Sequence, residues 1–224
     1  MSINAPFFDA LILGYTGLTG DLLLRELMKS DKVKHIICLG RKAPSFDHHK
    51  VQFIQADMNR LTEHTDAFGS VSRVFCCLGT TIKKAGSKNA FRRVDYDMVV
   101  NAALVAAQAG VNHFSVVSAV GAEAKSGIFY NQVKGEMEAA LIQTGLPRLS
   151  IFRPGLLLGK REEFRFGERL GIALVPLFEW MIPKRFRSIK AETVARAMLL
   201  NAIKTDEGIE IFFNGDMEVL SKSL

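Results

Sequence analysis

The chain has 224 residues, of which 48% are hydrophobic and 23% are charged, a globular composition with enough length to bury one sizeable core. Its formal net charge of +6 suits a polyanionic small ligand such as a nucleotide and permits only weak contact with nucleic acid or an anionic membrane. No apolar run reaches about 18 residues, and no basic segment precedes an apolar run at the N-terminus, so neither a membrane span nor a secretory signal is predicted.

Three cysteines, Cys38, Cys76 and Cys77, lie in apolar stretches typical of strands. Their odd number and apolar surroundings indicate reduced, buried thiols and therefore a cytoplasmic (cytosolic) location. None of them has the spacing of a metal site, and no metal is predicted.

The chain begins with a strand, a glycine-rich turn and a helix. The apolar run Ala10–Leu13 is typical of a strand buried on both faces, the turn carries three glycines, and the helix covers Asp21–Met28. A helix N-terminus presents unpaired N–H groups, and glycine lets a pyrophosphate approach the backbone, so a dinucleotide-binding turn is predicted. A tight turn without a ligand is the alternative. The cofactor contacts predicted here are Gly14, Thr16, Gly17, Leu18, Thr19 and Gly20.

The second predicted strand, Val33–Leu39, ends in Gly40-Arg41-Lys42. In dinucleotide-binding folds an acidic residue after this strand binds the ribose 2′-hydroxyl, whereas an arginine accommodates a 2′-phosphate. Arg41 and Lys42 stand where the acid would be, which predicts that NADP(H) is preferred over NAD(H). The alternative is that both are ordinary surface cations of a loop.

The third predicted strand, Val51–Gln55, is short and is followed by Asp57 and Met58. In this architecture that edge of the sheet flanks the adenine, so both residues are candidate adenine contacts. Asp57 is also placed to cap the helical stretch that follows it, and this alternative stays open.

The fourth predicted strand, Val74–Leu78, runs into Gly79 and Thr80. The carboxyl ends of parallel strands face the ligand crevice, so Leu78, Gly79 and Thr80 are predicted to meet ribose and phosphate. The basic loop over residues 82–89 has four open interpretations: a lid over phosphates, a substrate clamp, a nucleic-acid patch or a mobile, solvated loop.

An apolar stripe predicts a helix over Phe91–Gly110, and the fifth strand, His113–Val117, ends at Ser118. The next helix carries Tyr130 and Lys134, which are four apart and therefore share one face. A neighbouring ammonium favours the phenolate form of a tyrosine, so Tyr130 can exchange a proton in carbonyl reduction while Ser118 donates a hydrogen bond to the substrate oxygen. A tyrosine and a lysine at this spacing are also common on helix surfaces.

The C-terminal third contains a sixth strand, Leu149–Phe152, a helix, Ala191–Lys204, and a last strand, Gly208–Asn214. Residues 155–190 are less regular and mix apolar with basic side chains, which indicates a substrate flap or a partner surface. The alternation of strands and helices predicts an α/β fold, a doubly wound and mostly parallel sheet with helices on both faces. We expect one domain over residues 1–224, with 155–190 as its small C-terminal flap.

Several sequence blocks together resemble a known family. The glycine turn is similar to the G-x-x-G-x-x-G of the short-chain dehydrogenase/reductase superfamily in its atypical or extended branch, Tyr130–Lys134 is similar to its Y-x-x-x-K, and Ser118 to its upstream serine. More closely, the chain resembles the Tat-interactive protein subgroup of NADPH-binding oxidoreductases over nearly its whole length. The blocks that carry this resemblance are Phe75–Thr81, Lys84–Gly86, Arg93–Asp95, Gln132–Glu136 and Phe152–Gly155.

The resemblance implies a Rossmann fold that binds NADP(H) and acts on a small carbonyl substrate whose identity is open. By the same resemblance Tyr130 is the acid/base, Ser118 orients the carbonyl, and Lys134 favours the phenolate and holds the nicotinamide ribose. Residues after the sixth strand approach the nicotinamide. The C-terminal part is too short for a full sugar-nucleotide domain, which argues against nucleotide-sugar chemistry. The implied nicotinamide contacts are Pro154, Gly155 and Leu156.

Two other functions stand beside a reductase. One is a regulator that binds NADPH, senses redox state and acts through a protein partner with little turnover, as the regulatory description of the similar Tat-interactive proteins suggests. The other, weaker one is nucleic-acid or membrane-surface binding through the basic residues of 83–93 and of 184–190, for which neither a recognition helix nor a stacking platform is visible. The intact Ser118, Tyr130 and Lys134 set favours the enzyme, since a sensor needs no proton donor.

Overall fold

The computed structural model describes residues 6–159 and 183–223. A parallel sheet of seven strands runs through this part of the chain, and two further two-residue strands pair with each other beside it. The strands are β1 (Phe8–Leu13), β2 (Val33–Gly40), β3 (Val51–Gln55), β4 (Arg73–Cys76), β5 (His113–Val117), β6 (Arg148–Phe152), β7 (Leu157–Leu158), β8 (Ile189–Lys190) and β9 (Gly208–Phe212).

Helices cover both faces of the sheet, and none of those described is long and apolar enough to cross a membrane. Short 3-10 turns lie at Leu61–His64 and Lys184–Phe186, and a π-helical turn lies at Arg93–Asp97. The α-helices are α1 (Leu18–Lys29), α2 (Thr65–Gly69), α3 (Ile82–Ala85), α4 (Lys88–Arg92), α5 (Met98–Gln108), α6 (Phe129–Ile142), α7 (Ala191–Ala202) and α8 (Asn214–Leu220).

Strand β1 shows why the sheet is buried on both faces. Its side chains alternate between the faces, so Leu11 and Leu13 enter the core beneath α2, α5 and α6, whereas Ala10 and Ile12 enter the core beneath α1, α7 and α8. Because the run is almost continuously apolar, it supplies hydrophobic side chains to the cores on both faces of the sheet. The predicted doubly wound parallel sheet is confirmed.

The sheet order, β3-β2-β1-β4-β5-β6-β9, places the ligand crevice. The chain winds outward from β1 through β2 to β3, and then returns to the other side of β1 to form β4. Strand order therefore reverses between β1 and β4. In open parallel sheets ligands bind outside the carboxyl ends of the strands at such a point.

Two strands end two residues before their predicted ends. Strand β4 ends at Cys76 rather than Leu78, and the last strand ends at Phe212 because the Asp216 side chain accepts the Phe213 N–H at 2.9 Å and starts α8. Residues 160–182 of the predicted flap lie outside the described residues, so the single domain with a flap over 155–190 stays a prediction.

Candidate active site

The turn between β1 and α1 has a backbone that side chains would disrupt. Gly14 has a φ of +74°, a left-handed conformation that favours glycine, and a Cβ there would lie 2.5 Å from the Cys77 carbonyl oxygen. A Cβ on Gly20 would lie 2.2 Å from the Gly14 carbonyl oxygen. The N–H of Gly17 donates to that same oxygen at 2.9 Å, which closes the turn. Gly14 and Gly20 are therefore required for the shape of the turn.

The start of α1 is open to an anion. Gly17 is its N-terminal capping residue, and no side chain among the described residues accepts its first N–H groups. Thr16 is exposed, Leu18 is half-buried and Thr19 is buried. A Cβ on Gly159 would lie 2.7 Å from Leu18 Cδ1, so the chain after β7 reaches this turn. The fold thus brings a close-packed turn and uncapped amides together.

Tyr15, which the sequence analysis did not select, connects this turn to the end of β2. Its hydroxyl donates to the Lys42 carbonyl oxygen at 2.5 Å, and its ring occupies the space that a side chain on Gly40 would need. Burial, with a smaller contribution from Cys38, raises the pKa of Tyr15 to about 12. The phenol therefore stays protonated and fixes the backbone that carries Arg41.

The predicted adenosine contacts lie at the ends of β2 and β3. Arg41 and Lys42 are exposed. Asp57 accepts hydrogen bonds from the Asn59 backbone N–H at 2.9 Å and from its side-chain amide at 2.8 Å. These bonds, with Arg60 and Arg41 nearby, lower the pKa of Asp57. Asp57 thus makes the local contacts of a turn, and its contact with adenine stays a prediction.

A cavity lies beside the other predicted adenine contact. Met58 is buried in the core beneath α5 and borders an opening of about 310 Å³. Arg93, Asp97 and Asn101 line it with polar groups, and Asn59 lines it beside Met58. This mixture of a thioether with amide and charged groups is compatible with a nucleobase.

The segment after β4 is fixed on both sides. The Cys77 N–H donates to the Leu13 carbonyl oxygen at 2.9 Å, which holds the segment against the glycine turn. Leu78 and Thr80 are half-buried and Gly79 is exposed, and the Thr80 N–H donates to Asp95 Oδ2 at 2.8 Å. The predicted ribose and phosphate contacts therefore border the reversal point of the sheet.

The predicted basic loop contains two short helices. The Thr81 hydroxyl oxygen accepts the Lys84 N–H at 3.1 Å to start α3, and the Ser87 hydroxyl oxygen accepts the Ala90 N–H at 3.1 Å to start α4. The ammonium of Lys88 lies 5.1 Å from the centre of the Phe129 ring. The lysines are exposed, so the structure leaves the interpretations of this loop open.

Lys134 is a buried cation with a carboxylate partner. Its Nζ lies 2.8 Å from Asp95 Oδ1, and their side chains are only 4% and 1% exposed. The Val117 carbonyl oxygen is 3.5 Å from the same nitrogen. Burial lowers the pKa of Lys134, but Asp95 and Tyr130 raise it by more, so the net pKa is raised. Lys134 is therefore positively charged at neutral pH.

Tyr130 lies one helical turn before Lys134, in the first turn of α6. Its ring is half-buried, with its centre 5.5 Å from that of Phe91. Its hydroxyl makes no hydrogen bond to any of the described residues. The predicted acid/base is thus close to a lysine charge and has its hydroxyl available.

Ser118 belongs to a second buried cluster at the end of β5. Its hydroxyl donates to Glu138, and Arg153 Nε donates to both Glu138 oxygens at 3.0 Å. A hydroxyl has one proton to donate, so Ser118 in this arrangement gives it to a carboxylate. Its predicted donation to a substrate carbonyl stays a prediction that requires this bond to change.

The chain after β5 packs directly on α6. A Cβ on Gly135 would lie 2.2 Å from the Ala124 nitrogen, and the Glu123 N–H donates to the Asn131 carbonyl oxygen at 3.1 Å. There is no space for a side chain between this segment and the helix. Residues 123–124 therefore have a fixed position against the turn of α6 that carries Lys134.

The segment after β6 is fixed by its backbone. The Pro154 carbonyl oxygen accepts the Val120 N–H at 2.9 Å, and the Gly155 N–H donates to Asn214 Oδ1 at 2.9 Å. The Leu156 carbonyl oxygen accepts the Ile189 N–H at 2.9 Å. Their contact with a nicotinamide stays a prediction.

The predicted site residues follow the carboxyl ends of β1 to β6 or lie on α6. The sequence analysis did not predict three charged residues that contact these site residues or their partners, namely Asp95, Glu138 and Arg153. Asp95 and Arg153 lie within the sequence blocks that resembled a family, and Glu138 follows Lys134 at the same spacing of four that joins Lys134 to Tyr130. That i, i+4, i+8 pattern was a usable signal, because it places all three on one helix face. Among the described residues no group of three metal-ligating side chains is placed to hold a metal ion.

The amino-acid sequence also matches a family of nucleotide-binding proteins. A family model described as NAD(P)H-binding matches residues 14–172, more than half of the chain. The chain therefore belongs to the NAD(P)H-binding family.

Two relatives show which proteins of this family the chain resembles. Protein HTATIP2 of Rattus norvegicus is 38% identical over 206 residues, covering 89% of this chain and 83% of that protein. This confirms the resemblance to the Tat-interactive proteins. Protein FMP52-2, mitochondrial, of Scheffersomyces stipitis is 43% identical over 159 residues, covering 70% of this chain and 69% of that protein.

Solved structures show the same fold. MoeE5 in complex with UDP-glucuronic acid and NAD superposes with a TM-score of 0.70 at 18% identity, over 91% of this chain and 75% of that one. WbmG of Bordetella bronchiseptica in complex with NAD gives a TM-score of 0.68 at 14% identity, over 95% of this chain and 74% of that one. Both likenesses confirm the Rossmann fold.

The predicted cytoplasmic location was wrong. Several yeast relatives at 34–43% identity are named as mitochondrial proteins. The prediction rested on free thiols, and Cys38, Cys76 and Cys77 are indeed free. Reduced cysteines indicate a reducing environment, and they do not distinguish one such compartment from another.

Proposed function

We propose that this protein is an NADP(H)-dependent reductase of the short-chain type that acts on a small carbonyl compound with Tyr130 as the acid/base. The observation that carries the proposal is the pairing on α6: an available phenol beside a buried, charged lysine. It lies where parallel strands end, at the edge of the sheet used for ligand binding in this fold.

The crevice fits a dinucleotide, because the glycine turn leaves no room for a Cβ at Gly14 or Gly20 and the first N–H groups of α1 donate to no side chain in the described part of the chain. These amides would hold the pyrophosphate, and the exposed Arg41 and Lys42 would hold a 2′-phosphate. The cavity beside Met58 would take the adenine. An ammonium has three donors, so Lys134 keeps one for a ribose hydroxyl after Asp95 and Val117.

When bound, NADPH supplies a hydride to the carbonyl carbon. Tyr130 gives its proton to the carbonyl oxygen, so the C=O bond becomes an alcohol with a new C–H and a new O–H. The phenolate that remains is stabilised by the positive charge of Lys134. Solvent then returns a proton to Tyr130, and oxidation of an alcohol follows the same steps in reverse.

The test is a titration of the purified protein with NADPH and NADH, followed by NADPH consumption against a panel of aldehydes, ketones and quinones. We expect tighter binding of NADPH and turnover of at least one panel member. Binding of neither nucleotide would reject the proposal, and the glycine turn would then be a structural turn only.

A second candidate is an NADPH-binding regulator with little or no turnover. The hydrogen bond of Ser118 supports it, because the Ser118 hydroxyl donates its proton to Glu138 and leaves Tyr130, of the two predicted hydroxyl donors, to donate to a carbonyl. Tight NADPH binding without turnover on the panel would favour this function and direct the search to a protein partner.

A further inference from the structure

His113 is a buried titratable residue that the proposed reaction does not use. We propose that His113 is the sensor of an acid-sensitive switch, which releases residues 201–212 from the sheet when its imidazole takes up a proton. These residues comprise the end of α7, its connection to β9 and β9 itself, and we name them the α7–β9 segment. The proposal goes beyond the proposed function, because the switch requires neither nucleotide nor substrate.

A polar layer lies on the face of the sheet that α7 covers. Arg73, His113 and Arg148 are the first residues of β4, β5 and β6, and the strand register places them side by side. Each of the three is only 8% exposed or less. Arg148 Nη2 lies 2.8 Å from Glu210 Oε2 on β9, so the charge of one arginine is offset. Protonation of His113 would place a further positive charge between the two arginines.

The hydrogen bonds of this layer define which imidazole nitrogen carries the proton. Asn201 Nδ2 donates to Glu210 Oε2 at 3.1 Å, which leaves Asn201 Oδ1 as the acceptor for Ser150. The single Ser150 hydroxyl proton goes to this oxygen at 2.8 Å. Ser150 Oγ therefore accepts from His113 Nε2, 2.9 Å away, and Ser115 Oγ lies 3.2 Å from the same nitrogen. The neutral imidazole thus carries its proton on Nε2.

The environment of the other imidazole nitrogen, Nδ1, disfavours a second proton. This nitrogen is buried and has no hydrogen-bond partner among the described residues. The charged groups around His113 are Arg73 from β4, Arg148 from β6 and, bonded to Arg148, Glu210 from β9. Burial and the two arginines hold the pKa of His113 well below its usual 6.5. A proton on Nδ1 is therefore favoured only when the imidazole reaches water.

The α7–β9 segment covers the polar layer and is bonded to it. Arg73 Nε donates to the Ala202 carbonyl oxygen at 3.1 Å, and Arg148 Nη1 donates to the Lys204 carbonyl oxygen at 2.6 Å. Residues 204–209 are exposed, and β9 pairs with β6 alone among the described strands. An exposed edge of a fold opens at a lower free energy than its core does. Opening of this segment is therefore the event that brings the imidazole to water.

The segment also connects to the crevice at the other end of the sheet. Strand β9 leads to Asn214, whose Oδ1 accepts the Gly155 N–H at 2.9 Å and whose Nδ2 donates to the Arg187 carbonyl oxygen at 2.7 Å. Gly155 is one of the predicted nicotinamide contacts. Release of β9 would displace Asn214 and leave the Gly155 N–H without this acceptor. Acid should therefore loosen the backbone that is predicted to meet the nicotinamide.

The first test measures unfolding in denaturant from about pH 8 to about pH 5, above the range in which Glu210 titrates. The unfolded chain protonates His113 near pH 6.5 and the folded protein does not, so stability is lost as the pH falls below about 6.5. His113→Gln keeps an N–H for Ser150 and cannot titrate in this range. We expect it to remove a dependence of up to about tenfold in the unfolding constant per pH unit.

The matched control for this test is His49→Gln, which removes an exposed histidine. Its stability should follow pH as that of wild type does, because an exposed imidazole titrates alike in the folded and unfolded chain. The same pH dependence in wild type and His113→Gln overturns the proposal.

Hydrogen exchange locates the opening. The Gly208 N–H donates to the Pro147 carbonyl oxygen at 2.9 Å and reports on β9, and the Gly155 N–H reports on the contact with Asn214. Between about pH 7.5 and about pH 5.5 we expect the protection of both amides to fall about tenfold, because the open segment exposes an imidazole of ordinary pKa. In His113→Gln their protection should be equal at the two pH values.

Two control amides separate this opening from other events. The Ala90 N–H, which donates to Ser87 Oγ at 3.1 Å, should keep its protection at both pH values. The Cys77 N–H, which donates to the end of β1 at 2.9 Å, should exchange more slowly than Gly208 and Gly155. If both probes exchange only as slowly as Cys77, the protein unfolds as a whole and the switch is overturned. Constant protection at Gly208 or at Gly155 overturns it as well.

Wild type alone decides the proposal if His113→Gln folds poorly. The ¹⁵N spectrum of the imidazole, assigned through the backbone, should show a neutral ring protonated on Nε2 at about pH 6. An imidazolium, or a proton on Nδ1, at that pH overturns the proposal. If wild type binds no nicotinamide nucleotide, the proposed function fails, and the exchange measurements still decide the switch because they use the protein without NADPH.

Discussion

The two ends of the crevice hold their basic residues in opposite ways. Arg41 and Lys42, at the proposed adenosine end, are exposed, whereas Lys134, at the proposed nicotinamide end, is buried against Asp95. Exposed side chains lose rotamer freedom when they bind a phosphate, while Lys134 was ordered when the chain folded. The proposed selection of the cofactor therefore depends on exposed side chains, whereas the positive charge beside the phenol depends on buried contacts.

The largest expected effect is at the nicotinamide end. Tyr130→Phe should lower reductase turnover on the order of 1,000-fold, because it removes the proton donor and keeps the ring packed against Phe91. NADPH affinity, measured by fluorescence titration, should stay within about twofold of wild type because the cofactor is held by the rest of the crevice. Tyr96→Phe is the control. Turnover equal to wild type in Tyr130→Phe would remove this residue from the mechanism.

A change in the glycine turn should affect both ends together. In Gly20→Ala the new methyl group meets the Gly14 carbonyl oxygen, so we expect about 1–3 kcal/mol less stability to denaturant. We also expect NADPH binding and NADH binding to weaken by the same factor. Gly127→Ala is matched to it, since a Cβ at Gly127 meets no atom within 4 Å. Normal binding of both nucleotides by Gly20→Ala would show that the turn does not hold the pyrophosphate.

A selective effect is expected at the adenosine end. Arg41→Ala should weaken NADPH binding by roughly tenfold to 100-fold, the loss of a charge-assisted contact, while NADH binding changes little. Stability should be unchanged because Arg41 is exposed. The control Lys34→Ala, which removes an exposed cation within β2, should bind both nucleotides as wild type does. An equal loss for NADPH and NADH would mean that Arg41 does not read the 2′-phosphate.

The smallest effect lies away from both ends and provides a reference for pH. Burial raises the pKa of Glu210, but Arg148 and Asn201 lower it by more, so its net pKa is below the usual 4.5. Its stabilising contribution is therefore present above about pH 4.5 and is lost as the pH falls through the lowered folded pKa. The difference in melting temperature between wild type and Glu210→Gln should shrink on acidification. A constant difference would exclude this ionic contribution.

Much of the fold was predictable because its signals are local. The apolar run of β1 and the glycines after it sit next to each other in the chain, and the predicted bounds of β3 and β5 are the observed ones. The prediction that the last strand reaches Asn214 was wrong, because the residue that ends the strand lies outside it. The apolar run continues at Phe213. However, the carboxylate of Asp216, which lies beyond the strand, accepts the Phe213 N–H and starts a helix there.

The site was predictable only where a motif is local. The proximity of Tyr130 and Lys134 could be predicted from their spacing of four residues. The contact of Asp95 with Lys134 could not, because it depends on a π turn that no periodicity of the sequence predicts. The bond from Ser118 to Glu138 also requires two separate elements to be placed in space. Charged residues whose partners are distant in sequence look like ordinary surface residues until the fold is known.

The absence of a side chain at Gly135 makes α6 and the chain after β5 one mechanical unit. Because residues 123–124 rest on this helix without a gap, a single added methyl group would force this segment and the helix apart. Phenol, ammonium and the Glu138 carboxylate would then move in concert, although none of them had been altered. The geometry of the proposed site therefore depends on how tightly this segment packs on α6.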